Sequence, residues 1–136
     1  MKTEVLLYTV NEPMLWDANG KLSMVPGGFY SGKLPWRDIC AHERRIGEGP
    51  IPRGRWKLGK PYHSAKTGPL TIPLMPLPGT ETYGRSAFLI HGDDKEGDAS
   101  EGCIVAPRSV RANLATALAA GREFVLYVVP NLRSVL

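Results

Sequence analysis

At 136 residues the chain is long enough to bury one hydrophobic core and too short for two, so a single domain over 1–136 is expected. Apolar residues make up 43% of it, and no run approaches the roughly 20 that a membrane helix needs, so no integral membrane segment is expected. Seventeen basic and thirteen acidic side chains leave a net charge of +4, but they are scattered without a Lys/Arg run or interleaved aromatics, which argues against nucleic acid as a partner.

The N-terminus runs from Met1-Lys2-Thr3-Glu4 into a short apolar stretch that Asn11-Glu12-Pro13 ends without a small-residue cleavage site. No signal peptide is visible there, so the protein is expected to be made in the cytoplasm and exported by another route. Fifteen glycines and twelve prolines punctuate short apolar runs, the texture of a turn-rich β domain. In chain order the expected strands are Val5–Val10, Met14–Trp16, Lys21–Val25, Arg55–Leu58, Leu70–Leu77, Phe88–His91, Ile104–Val105 and Glu123–Val129. Asp17-Ala18-Asn19-Gly20 suits a tight hairpin, since Asn-Gly accepts positive φ angles. Gly27 to Gly32 reads as a mobile loop, and a short helix is expected near Trp36 to Glu43. Pro73 and Pro76 lack an N–H, which places Leu70–Leu77 on a sheet edge or makes it irregular. From Arg108 to Ala120 the residues Val110, Leu114, Ala117 and Leu118 recur at helical spacing, with Pro107 at the entry and Gly121 at the exit, so one amphipathic helix is expected near the C-terminus.

The chemistry concentrates between Phe88 and Val105. An apolar strand delivers His91 and Gly92, a polar loop follows, and the chain returns through Ser100-Glu101-Gly102-Cys103 into a second apolar run. Such a layout can bring His91 and Cys103 to one rim of a sheet, where an imidazole would take the thiol proton and lower its pKa. Either residue alone is more often structural; together on one loop, with a glycine beside each, they point to a nucleophile and its base. The N–H groups of Gly102 and Cys103 are candidates for an oxyanion site. Ser100 either fixes the turn or bonds the thiolate, and Tyr83 lines either the cleft or the core. Arg85 either pairs with a substrate carboxylate or with Asp93, Asp94 or Glu101. Cys40 and Cys103 cannot form a disulfide framework, and a thiol after Ser-Glu-Gly in a polar loop has a better use than cross-linking.

Metal chemistry has weaker support. The carboxylates Asp93, Asp94, Glu96, Asp98 and Glu101 lack the alternating spacing of a calcium loop and read as a solvated loop. Zinc on His91 and Cys103 is the sharper rival, but His42 and His63 stand in dissimilar contexts and no HExxH is present. No cofactor is expected. Trp16, Trp36 and Trp56 share no spacing and are assigned to core packing.

Several separated motifs, in order, carry a resemblance: Gly49-Pro-Ile-Pro-Arg-Gly-Arg-Trp56, Gly68-Pro-Leu70, Gly84-Arg-Ser-Ala-Phe-Leu-Ile-His-Gly-Asp93 and Ala99-Ser-Glu-Gly-Cys-Ile-Val105. They resemble the Tlde1 family, formerly a domain of unknown function, of L,D-transpeptidase-like effectors of the type VI secretion system. The match covers about Gly47 to Arg111. The resemblance implies a mainly β, compact L,D-transpeptidase-like sandwich or barrel and a cysteine L,D-carboxypeptidase or L,D-transpeptidase acting on the stem tetrapeptides of peptidoglycan. It implies Cys103 as nucleophile, His91 as base and the Gly92 carbonyl as the group that orients the imidazole. Glu101 replaces the second histidine of the wider L,D-transpeptidase pattern and Val105 its basic or amide residue, leaving Arg85 to supply positive charge to substrate. An immunity protein, a secretion-apparatus component and action in the target-cell periplasm are implied in the same way. A phage or prophage wall-remodelling enzyme would use the same site, and a non-catalytic wall-binding module is the other alternative.

Overall fold

A computed structural model describes residues 3–17, the backbone of 23–24, and 28–135. It contains β1 (Thr3–Thr9), β2 (Met14–Asp17), β3 (Ser23–Met24), β4 (Tyr30–Ser31), β5 (Gly54–Leu58), β6 (Tyr62–Ser64), β7 (Gly68–Pro76), β8 (Leu89–His91), β9 (Ile104–Val105), α1 (Arg108–Ala119) and β10 (Glu123–Val129). The sheet order is β3-β2-β1-β10-β5-β7-β8-β9-β4, with β6 beside β7, and the sheet curls into a half-barrel against which α1 packs through β7. The Asp17–Gly20 turn lies outside the described residues.

The two ends of the chain meet at the sheet. β1 runs parallel to β10, from Thr3 opposite Glu123 to Thr9 opposite Val129. Alternation along β10 sends Phe124, Leu126 and Val128 into the core, where Leu6, Tyr8, Ile72 and Trp56 meet them. Trp56 is fully buried, its indole N–H donating to the Pro52 carbonyl at 3.1 Å and its ring meeting Phe88 edge-on at 4.8 Å. Trp16 and Trp36 are only half-buried, and Trp36 lies under the Arg45 guanidinium. α1 buries Val110, Arg111, Leu114 and Ala117; at its end Gly121, at φ 87°, lets the Arg122 N–H reach back to the Ala117 carbonyl. Among the described residues no helix is long and apolar enough to cross a membrane.

Three expectations are corrected. Of the two readings for Leu70–Leu77 the sheet edge is corrected and the irregularity holds: β7 pairs with β5 and β6 along one side and β8 along the other, but its register with β6 shifts between Tyr62 and Ser64 and Leu70 sits at φ 56°. Its prolines are tolerated because of where they fall. Pro73 faces the joint between β5 and β6, where its carbonyl accepts from the Gly59 N–H, and Pro76 lies past the end of β8. The Gly27–Gly32 stretch, described from residue 28, contains β4, which pairs with β9 and buries Tyr30 and Ser31. The helix expected near Trp36–Glu43 shrinks to one 3₁₀ turn at Cys40–His42, because Asp38 sits at φ 59° with its carboxylate accepting from the Ser31 N–H.

Candidate active site

β8 and β9 run parallel, with Ile90 opposite Ile104 and His91 opposite Val105. Strand alternation then puts His91 and Cys103, the residue just before β9, on the same face as diagonal neighbours. Both line one cleft of about 640 Å³, together with Lys66, Arg85, Ala87, Gly92 and, from the loop between them, Asp93, Asp94, Asp98, Ala99, Glu101 and Gly102. The His91 Nδ1 lies 2.7 Å from the Gly92 carbonyl oxygen. A carbonyl can only accept, so the proton is on Nδ1 and the Nε2 lone pair is left able to accept one. The Cys103 thiol donates to the Ala87 carbonyl at 3.5 Å.

The electrostatics favour a neutral pair. Burial is the main effect on His91 and lowers its pKa below the usual 6.5; the Gly92 carbonyl opposes this and the Arg111 charge adds to it. Burial likewise pushes the Cys103 thiol up, against the lowering influence of the Leu89 N–H, Lys66 and Arg85. Desolvation leads the influences on the thiol, and the imidazole expected to lower its pKa is not among them. A thiol and an imidazole that are both uncharged suit proton transfer at the moment of attack rather than a standing ion pair.

Ser100 is buried and organises the turn: its hydroxyl donates to the Cys103 carbonyl at 2.6 Å and accepts from the Gly32 and Gly102 N–H groups. Those partners are all backbone groups, none of them the thiol. The same contacts occupy the Gly102 N–H, so it faces Ser100 Oγ rather than an oxyanion position. Gly102 has φ 145°, and a Cβ there would come within 2.4 Å of the Arg85 guanidinium, so close approach explains the glycine. Glu101 is exposed on the cleft wall, with its carbonyl accepting from Arg85 at 3.3 Å.

Arg85 and Tyr83 are placed differently from expectation. Arg85 is 7% exposed and its terminal nitrogens donate to four backbone carbonyls, those of Glu43, Pro50, Gly49 and Glu101. Its fork is therefore neither open to a substrate carboxylate nor paired with Asp93, Asp94 or the Glu101 side chain. Tyr83 is half-buried beneath Arg44 and is not among the cleft-lining residues. Cys40 and Cys103 are both free thiols, Cys40 deep in the core.

Sequence reading missed the residues that close the loop. Tyr30 donates to Asp93 and accepts from the Ala99 N–H at 2.8 Å, while Arg37 stacks on its ring at 3.9 Å and donates to the Gly97 carbonyl. The acidic loop is thus clamped at both ends rather than simply solvated. Ser31 Oγ donates to the Gly102 carbonyl and accepts from the Ile51 N–H. Arg111 binds the Ala106 and Pro69 carbonyls, and its guanidinium fills the space where a Cβ on Gly92 would sit, at 2.7 Å. None of these has a local pattern to announce it. Among the described residues no group of three or more His, Cys, Asp or Glu is placed to hold a metal.

The family model described as the Tlde1 domain matches residues 27–131. No curated protein matches in sequence. Among solved structures, the helical cell shape determining protein Pgp2 from Campylobacter jejuni superposes with a TM-score of 0.62 at 15% identity, covering 95% of this chain and 48% of that one. Its K307A mutant gives 0.60 at 14% identity, over 95% and 47%. The likeness is one of fold, and this chain spans about half the length of those proteins.

Proposed function

The chain belongs to the Tlde1-domain family, and from that premise we propose that it is a cysteine acyl-transfer enzyme of peptidoglycan, an L,D-carboxypeptidase with L,D-transpeptidase exchange activity. The observation that carries the reading is one cleft lined by both Cys103 and His91, with the His91 Nδ1–H tied to the Gly92 carbonyl. Nε2 of His91 takes the thiol proton as Cys103 Sγ attacks the carbonyl of the third stem residue, typically meso-diaminopimelate. The C–N bond to the terminal D-alanine breaks, the proton passes from His91 to the departing amine, and a thioester remains. Water, deprotonated by His91, releases the tripeptide and regenerates the thiol; an incoming D-amino acid gives the exchange product instead. Incubation with purified muropeptides and mass spectrometry is expected to show tetrapeptides losing one alanine. Muropeptides bound but unchanged would favour a wall-binding module.

The family likeness also supports an antibacterial role, with delivery by a type VI apparatus into the target periplasm and an immunity protein in the producer. The cross-linked wall lies across a membrane that a folded, charged domain does not traverse alone.

Arg111 supplies a pH prediction. His91 must be neutral to act as base, and the Arg111 charge is one of the influences that lower its pKa, while Asp93 and Asp94 raise it. Arg111→Met removes a lowering influence, so the acidic limb of kcat/KM is expected to move to higher pH, costing activity below about pH 6.5 and little above pH 8. Arg111→Lys, which keeps the charge, should leave the limb near its original position. A limb unmoved in Arg111→Met would remove Arg111 from any electrostatic role.

A further inference from the structure

The cations lining the cleft are Lys66 and Arg85, and the terminal nitrogens of Arg85 are committed to backbone carbonyls. Lys66 sits on the turn between β6 and β7. Ser64 Oγ accepts from the N–H groups of Lys66 at 3.2 Å and Thr67 at 3.1 Å, and the Thr67 and Thr71 hydroxyls are 2.8 Å apart, so the backbone of the turn is braced. Among the described residues no carboxylate lies within salt-bridge distance of the Lys66 ammonium. Its charge nevertheless acts on the Cys103 thiol across the cleft.

The carboxylates of the cleft, Asp93, Asp94, Asp98 and Glu101, all stand on the loop between His91 and Cys103. Asp93 accepts from Tyr30, Asp98 faces Arg37 at 3.6 Å, and Asp94 accepts from the backbone N–H groups of Glu96 and Asp98. An anionic group entering the cleft is repelled by that loop and attracted to the β6–β7 turn. We propose that Lys66 is a specificity-determining residue that binds the free C-terminal carboxylate of the substrate, one residue beyond the carbonyl that Cys103 attacks. The proposal rests on the acyl-transfer reading above. Successive residues are about 3.8 Å apart, so this carboxylate falls within reach of a lysine stem from the thiol. The consequence is an exopeptidase: a stem whose terminal alanine carboxyl is already locked in a cross-link offers Lys66 no charge and is a poor substrate.

The test compares a muropeptide tetrapeptide with the same molecule carrying a terminal carboxamide. In wild type, kcat/KM for the acid is expected to exceed that for the amide by about tenfold or more, an increment of one ion pair. Lys66→Gln should abolish this preference by raising KM for the acid, leave the amide within about twofold, and Lys66→Arg should restore most of the preference. A second arm measures binding of both peptides to Cys103→Ala and to Cys103→Ala/Lys66→Gln by calorimetry, which needs no turnover. Acid bound more tightly than amide, with the contrast lost in the double variant, supports Lys66 even if the acyl-transfer reading fails for want of product. Equal affinity for acid and amide, or an equal loss of rate on both peptides in Lys66→Gln, overturns the proposal.

Discussion

Cys103→Ala is expected to abolish turnover of wall tetrapeptides, a fall of at least about a thousandfold in kcat, with the melting temperature nearly unchanged. Removing the nucleophile removes the covalent route, whereas losing one sulfur from a partly exposed site beside a turn costs little packing. Cys40→Ala should do the reverse. Its side chain is 2% exposed within the core cluster, so truncation leaves a void worth about 1 kcal/mol while activity stays within about threefold. The two thiols thus have opposite signatures, one in rate and one in stability. Activity within about tenfold of wild type in Cys103→Ala, measured by release of alanine, would defeat the assignment of the nucleophile.

The second large effect concerns Arg85. Its guanidinium ties the backbone at Glu43, Gly49 and Pro50 to that at Glu101, two residues before Cys103. Arg85→Met keeps much of the stem's volume but strands these acceptors in a buried setting, at a cost of about 1–3 kcal/mol for each that water cannot reach. A total loss of about 3–5 kcal/mol is expected, lowering the melting temperature by more than about 10 °C in a domain of this size. Arg85→Lys should recover only part of it, since an ammonium has three donors and no planar fork to span four carbonyls. Had Arg85 been a substrate anchor, its loss would raise KM and leave thermal unfolding alone. Calorimetric scans beside kinetics on the same variants separate the two outcomes.

Arg85 also marks the boundary of what the linear chain reveals. From its neighbours it is a cation just before a strand, equally suited to a substrate carboxylate or an ion pair, and the family resemblance points to the substrate. Its real partners lie 16 to 42 residues away in sequence. Ser31 was hidden in the same way: it lies in a glycine-rich stretch that looks like a loop, yet it holds the Gly102 carbonyl 71 residues on. Lys66 and Arg111 had no pattern of their own and gain meaning only from the cleft that forms beside them.

What the sequence by itself determined is what local chemistry encodes. A short apolar run marked β10, and apolar residues at helical spacing between Pro107 and Gly121 marked α1. The order of His91-Gly92 and Ser100-Glu101-Gly102-Cys103 placed an imidazole and a thiol at the ends of two short apolar runs. Tertiary structure alone decided which strands are interior, which cation is structural and which faces the cleft. β7 shows why: its prolines argue for an edge until Pro73, with no N–H to donate, is seen to face the gap between β5 and β6, where its carbonyl accepts from Gly59. Periodicity fixes how a segment presents its side chains, but the partner of each backbone and charged group is set by long-range pairing.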